Sequence, residues 1–239
     1  MNKGVLSAAS AMQVSQQWLD AIANNLANAS TVGFKRDGLA FEEGYESQVR
    51  AQGGQGFPVG TVGRKTEVAL AYTDQTQGAL VPTGNPLDVA LTAPETYFAI
   101  EVAGGTAYTR NGSFRIGADG GLTDQSGRAV LDEGLAPIRL GKGPIEIGAD
   151  GAILQGGATV ARLGVFQGNL SKAGGNLYRG SASPAAANLQ SGHLESSNVN
   201  AIEEMVAMIR LNRVFEMAQK AIQSQDESSQ RLIQSAQDR

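Results

Sequence analysis

Few residues in this chain of 239 have the chemistry for catalysis or metal binding, and their spacing argues against each. His193 is the only histidine, and there is no cysteine. That leaves no thiolate nucleophile and no zinc ligand set, and any histidine-dependent triad would rest on His193 alone. A lone histidine in a Ser-Gly-His-Leu turn reads as a surface or capping residue. Asp119, Asp124 and Asp132 are close enough to suggest a calcium loop, but an EF-hand needs ligands at alternate positions and a closing glutamate, which this stretch lacks. Hairpin turns explain these aspartates better. Gly-x-Gly pairs are abundant, yet none stands in the strand-to-helix setting of a phosphate loop. Glu42-Glu43 and Glu203-Glu204 are adjacent, so on a helix each pair points apart. A carboxylate pair assembled across the fold stays open. No catalytic residue, metal ligand set or cofactor is expected.

Composition narrows the partners. The balance is mildly acidic, 19 basic against 23 acidic residues, and the densest basic spots are pairs such as Lys35-Arg36 and Arg64-Lys65. Nucleic-acid binding requires a clustered positive face to displace counterions, so it is disfavoured. No window approaches the roughly 18 apolar residues that suggest a membrane span, and lipid insertion is not expected. Val5 to Met12 is short, weakly apolar and preceded by one lysine, a poor signal peptide. A soluble chain without an ordinary secretory address is the expectation.

The elements around these residues follow from glycine and proline. All seven prolines lie between Pro58 and Pro184, and every glycine but Gly4, Gly33, Gly38 and Gly44 lies between Gly53 and Gly192. From His193 to Arg239 there is neither, so the ends read as helical and the middle as turn-rich. Val5, Ala8, Met12, Ser15, Leu19, Ile22 and Leu26 alternate at three and four, the seam of a coiled coil with one polar position. Asn28, Ser30 and Thr31 loosen the helix end, and Gly33 is a natural left-handed stop. About 25 residues make a rod near 38 Å long. The last helix follows Asn200, which has capping-box spacing to Glu203. Ile202, Met205, Val206 and Ile209 form its first stripe. Arg213 interrupts, and the seam resumes through Phe215, Ala218, Ile222 and Leu232, a shift like a coiled-coil stutter. Neither stripe can be buried by its own helix, and two helices bury only part of each other.

The middle is a run of strand signals. Ile116-Gly-Ala-Asp-Gly-Gly-Leu122 recurs 31 residues later as Ile147-Gly-Ala-Asp-Gly-Ala-Ile153. Both carry Asp-Gly between apolar runs, a hairpin signal because both residues tolerate positive φ. Further strand candidates are Val89 to Leu91, Tyr97 to Val102, Ala107 to Thr109, Ser113 to Ile116, Ala129 to Leu131 and Leu163 to Phe166. Such spacing suggests a small barrel or sandwich. Gln52 to Gly56 reads as a connector and Ser181 to Asn188 as a loop. The fold class is therefore α+β: long N- and C-terminal helices pairing as a coiled coil, with an inserted β-rich domain. The expected organisation is 1–35 with 194–239 as an assembly domain, 36–66 as connector and 67–193 as β-rich outer domain.

Four motifs then carry a resemblance. Ile22-Ala-Asn-Asn-Leu-Ala-Asn-Ala-Ser-Thr-Val-Gly-Phe-Lys35 resembles the N-terminal signature of the bacterial flagellar rod and hook family. Leu194-Glu-Ser-Ser-Asn-Val-Asn200, followed by Glu203-Glu204-Met205-Val206 and Met208-Ile209, resembles its C-terminal signature. Between them, Gly84-Asn-Pro-Leu-Asp-Val-Ala-Leu91 and Tyr108-Thr-Arg-Asn-Gly-Ser-Phe114 resemble body segments of its rod members. The short body and Arg213-Val-Phe-Glu-Met217 are most similar to the proximal-rod branch, with the distal-rod branch second.

The resemblance implies a non-enzymatic subunit that polymerises head-to-tail through its terminal helices into the axial drive shaft, transmitting torque from motor to hook. Its implied partners are other copies of itself, other flagellar axial proteins and the flagellar type III export apparatus. Its implied location is the basal body, reached without a cleaved signal peptide. By motif position, assembly contacts fall on Val5, Met12, Leu19, Ile22 and Leu26, and on Ile202, Val206, Ile209, Phe215, Ile222 and Leu232. Asn24, Asn25 and Asn28 read either as hydrogen-bonding between helices or subunits or as polar helix surface and C-terminal cap, and Asn198 and Asn200 as capping or subunit contact. Two other readings remain: a wall-degrading enzyme with flagellar-like ends, and a monomeric binding module with an intramolecular helical hairpin.

Overall fold

The computed structural model describes residues 3–45, 48–50, 58–61, 64–141 and 143–237, and side-chain surroundings within 9–40, 71–141, 143–225 and at a few positions beyond. The connector expected at Gln52 to Gly56 lies outside the described residues. The fold is α+β: helix α1 spans Lys3–Ala27, helix α2 spans Ala201–Gln237, and all described strands lie between them. The chain divides into two compact units, one of Met1–Ala27, Asp37–Tyr72 and Asn200–Arg239, the other of Asn28–Arg36 and Thr73–Val199.

In the helical unit α1 and α2 pack against each other. On α1 the inward side is the expected one: Ile22 is buried, Met12, Leu19 and Leu26 are half-buried, and the one polar seam position, Ser15, is buried. Its hydroxyl donates to the Ala11 carbonyl at 2.8 Å, so a polar atom inside the seam is satisfied within its own helix. The helix ends at Ala27, six residues before Gly33, so Gly33 is not its stop. On α2 Asn200 is the cap as expected: its Oδ1 accepts from the Ile202 amide at 3.1 Å, and its Nδ2 donates to Glu203 Oε1 at 3.0 Å.

The α2 seam differs from the sequence expectation. Glu204, Met208, Leu211, Phe215, Ala218, Ile222 and Gln225 are less exposed and alternate at four and three with no stutter, with Ala207 beside them. Ile202, Met205, Val206 and Ile209 form a second, outward stripe. The apparent shift at Arg213 came from joining two faces of one helix.

The segment expected as connector, 36–66, holds strands Asp37–Tyr45, Gln48–Arg50 and Pro58–Thr61 and the start of Arg64–Thr73, which pairs with the first. At Gly38 a Cβ would meet the end of the Tyr72 ring at 2.5 Å, so any side chain there would displace that ring.

In the body both repeated segments are hairpins. Phe114–Ile116 pairs with Leu122–Asp124, and Ile145–Ile147 with Ala152–Gln155. Only Gly120 and Gly151 take positive φ, at 78° and 79°. The aspartates act differently from expectation: Asp119 and Asp150 accept the amide two residues on, at 3.1 and 3.2 Å. Thr96–Val102, Gly105–Thr109, Leu177–Pro184 and Val165–Gly174 close a four-stranded ring. One side of these strands joins the main core with Phe98, Ile100, Phe114, Leu122, Ile153 and Leu163; the other gathers Tyr97, Tyr108, Phe166 and Tyr178. Two local readings change. Ala129 to Leu131 makes single bridges rather than a strand, and the first part of the loop expected at Ser181 to Asn188 continues the strand to Pro184.

Candidate assembly faces

The helical unit presents apolar surface that its own residues do not cover. Ile202 is 69% exposed, Ile209 55% and Met217 61%, with Met205, Val206 and Val214 also exposed. Beside this stripe runs an apolar groove of about 500 Å³, lined by Trp18, Ile202, Val206, Arg210, Leu211 and Val214. The fold thus brings Ile202 and Val206 together with Trp18 and Leu211, two residues that sequence reasoning passed over. Of the other assembly candidates, Phe215 and Ile222 are half-buried on the inward side of α2. The side chains of Val5 and Leu232 lie outside the described surroundings. Large exposed apolar side chains along one helix mark a surface awaiting a protein partner.

The five asparagines separate. Asn24 is exposed and Asn25 is buried. The Asn25 amide pairs with the Asp37 backbone like a strand neighbour, Nδ2 to O at 2.9 Å and N–H to Oδ1 at 2.9 Å. It is therefore neither a surface residue nor a helix cap. Asn28 accepts from Thr31 on both its backbone and side-chain oxygens, at 3.0 and 3.1 Å, and closes a local turn. Asn200 caps α2. Asn198 is used inside the body, accepting the Arg36 amide at 2.7 Å and donating to the Asp74 and Thr76 carbonyls at 2.9 and 3.1 Å.

Asn198 belongs to a buried clasp that sequence reasoning missed. Glu195 takes Lys35 on one carboxylate oxygen at 2.6 Å and Arg110 on the other at 2.8 Å, and all three side chains are 0% or 1% exposed. Lys35 also donates to the Thr76 carbonyl at 2.6 Å, and Arg110 to the Thr96 carbonyl at 2.8 Å. The Gly78 amide completes the carboxylate at 3.0 Å. Burial holds the Lys35 ammonium below its usual pKa; the Glu195 hydrogen bond opposes this and the Arg110 charge reinforces it. Gly33 adopts φ +65° here and donates to the Glu195 carbonyl at 2.7 Å. A Cβ on Gly33 would lie 2.6 Å from the Arg110 backbone, the close approach that explains the glycine. The tip of the long hairpin closes over the same segment: Lys172 stacks on Phe34 at 3.9 Å and donates to the Lys35 carbonyl, and Asn176 donates to the Val32 carbonyl at 2.8 Å. Each clasp residue sat inside a quoted motif.

The candidates for chemistry fall into structural roles. Asp124 accepts the Ser126 and Arg128 amides at 2.8 and 2.9 Å and pairs with the Arg128 guanidinium, while Asp132 accepts the Gly134 and Ala136 amides at 2.8 and 2.9 Å. His193 lies on strand His193–Glu195, 3.0 Å from the Ser191 carbonyl. Among the described residues no group of three acidic, histidine or cysteine side chains could hold a metal ion, and no helix is long and apolar enough to cross a membrane.

An exposed apolar stripe along one helix fits the class of subunit that associates with other protein. Three family models match: the flagella basal body rod protein over residues 6–35, the flagellar hook protein FlgE/F/G D1 domain over 78–155, and the flagellar basal body rod FlgEFG protein C-terminal over 190–235. The flagellar basal-body rod protein FlgF of Mesorhizobium japonicum is 32% identical, covering 98% of this chain and 97% of the relative. FlgF of Rhizobium meliloti is 32% identical, covering 98% of each. The rod protein FlgG of Bacillus subtilis is 31% identical, also covering 98% of each. The chain belongs to the bacterial flagellar basal-body rod protein family.

Proposed function

We propose that this chain is a proximal-rod subunit that polymerises through its terminal helices into the axial shaft between motor and hook. The observation that carries the reading is the outward stripe of α2, apolar from Ile202 to Met217 and exposed in the single chain. Full burial of such a side chain contributes about 1.5–3 kcal/mol and these are about half exposed, so each adds about 1 kcal/mol and the stripe together favours association. In this reading α1 and α2 pair as a coiled coil through Met12, Leu19, Ile22 and Leu26 against Leu211, Phe215 and Ile222, with Val5 and Leu232 extending the seam. Residues 1–35 and 194–239 serve assembly, 36–66 connect, and 67–193 form the outer domain. Asn24 faces a neighbour, while Asn25 and Asn28 fix the chain after α1, Asn200 caps α2 and Asn198 serves inside the body. The subunit is structural rather than catalytic. Its neighbours are further copies and the adjoining axial proteins, and it reaches the basal body through the flagellar export apparatus. The similarity to FlgF proteins over 98% of the chain supports the proximal over the distal position.

The test is Ile209→Asp in a flagellated strain that carries this chain as its rod subunit. An exposed position tolerates aspartate in the monomer, so the protein folds and is produced, but the strain forms no rods and does not swim. Normal swimming by that strain would overturn the reading.

A further inference from the structure

The clasp joins parts of the chain that are far apart in sequence. Glu195 lies 160 residues from Lys35 and 85 from Arg110. The last strands of the body are laid against its first: His193–Glu195 pairs with Leu80–Pro82, and Leu189–Ser191 with Val89–Leu91. The N-terminal segment is just as embedded, with Gly33 bonded to Glu195, Arg36 to Asn198, and Asn198 to the Phe34 carbonyl. Without residue 195 two buried cations have no anion and the Gly78 amide has no acceptor, the kind of defect a folded protein tolerates least. Without Gly33 to Arg36, Glu195 and Asn198 lose the partners on their other side.

We infer that this cluster is a closure lock: the β body holds its native state only when Gly33 to Arg36 and Glu195 to Asn198 are both seated, and releasing either end opens the whole body. A chain that emerges from its N-terminus therefore cannot close its body until the residues just before α2 have appeared. The lock is independent of whether the helices polymerise, so its failure and the failure of the rod reading are separate results.

Native-state amide hydrogen exchange on the full-length protein tests it, under conditions where rates report opening equilibria. The Gly33 and Gly78 amides report the clasp, and the Leu122 and Ile138 amides report the core. Because locked segments open in one event, the lock gives clasp and core amides the same protection to within about tenfold. Clasp amides less protected than the core by more than about tenfold would show local fraying and overturn the inference. Full-length Glu195→Gln adds a second arm, with acceleration spreading to Leu122 and Ile138. Acceleration confined to Gly33, Gly78 and Arg36 would overturn it. Where the variant does not fold, the wild-type comparison decides alone.

Discussion

Two buried cations share one carboxylate in the body, so removing the carboxylate and removing one cation have very different consequences. Glu195→Gln keeps the size of the side chain but leaves Lys35 and Arg110, both fully buried, facing an uncharged amide. Removing one partner of a buried pair costs about 3–5 kcal/mol. Lys35→Met has the opposite sense. It leaves Glu195 with Arg110 at 2.8 Å and the Gly78 amide at 3.0 Å, which balances the cluster at one charge each. The Thr76 carbonyl keeps the Asn198 donor at 3.1 Å. Burial already disfavours the ammonium, so its loss changes stability by less than about 1 kcal/mol. Urea unfolding separates the two, because three of the five tyrosines lie in the body and the single tryptophan does not. Trp18 is the only tryptophan and lies in the helical unit, whereas Tyr97, Tyr108 and Tyr178 are buried in the body. Tyrosine near-ultraviolet circular dichroism should show a body destabilised by about 3–5 kcal/mol in Glu195→Gln and nearly unchanged in Lys35→Met. Equal losses in the two variants, or a loss under about 1 kcal/mol in Glu195→Gln, would refute the charge accounting.

Three further outcomes follow from the same geometry. A lysine whose folded pKa lies below its unfolded 10.5 binds fewer protons folded than unfolded, so wild-type stability relative to Lys35→Met rises as pH is raised towards 10.5; a fall in urea midpoint difference over that range would show the opposite shift. Gly33→Ala forces a side chain into φ +65° and to within 2.6 Å of the Arg110 backbone, so it costs more than about 2 kcal/mol, read as a drop in body melting temperature. Light trypsin digestion of dilute protein cuts first after exposed Arg210, Arg213 and Lys220 and spares the bond after buried Lys35, so intact mass gives a resistant core that begins before residue 35; early cleavage there would place Lys35 outside the body.

Periodicity and turn chemistry made much of this fold legible. The Asp-Gly repeats predict both hairpins, Asn200 with Glu203 predicts the start of α2, and the three-four spacing through Met12, Leu19, Ile22 and Leu26 predicts the inward side of α1. The α2 seam was misread because hydrophobicity is ordinarily taken to mark the inside. Here the inward side begins with Glu204 and Ala207, while Ile202, Met205, Val206 and Ile209 face outward. A polymerising helix carries two apolar faces, and sequence alone does not say which one its own chain covers. The clasp was illegible for another reason. Lys35, Arg110 and Glu195 meet only through the pairing of the first and last strands of the body, which no local pattern encodes. Gly33 illustrates the same limit: its positive φ was foreseeable, but its use against the Arg110 backbone was not.

The proposed assembly requires the outward stripe of α2 to be covered in the rod. The absence of cysteine makes this directly measurable, since Ile209→Cys introduces the only thiol. Maleimide labelling of that thiol is compared between dilute monomer and rods isolated from a swimming strain that carries the variant. Rapid labelling is expected of the monomer, where position 209 is 55% exposed, and labelling slowed by more than about tenfold in the rod. Equal rates in both would place the stripe outside the subunit contacts and overturn the proposed assembly.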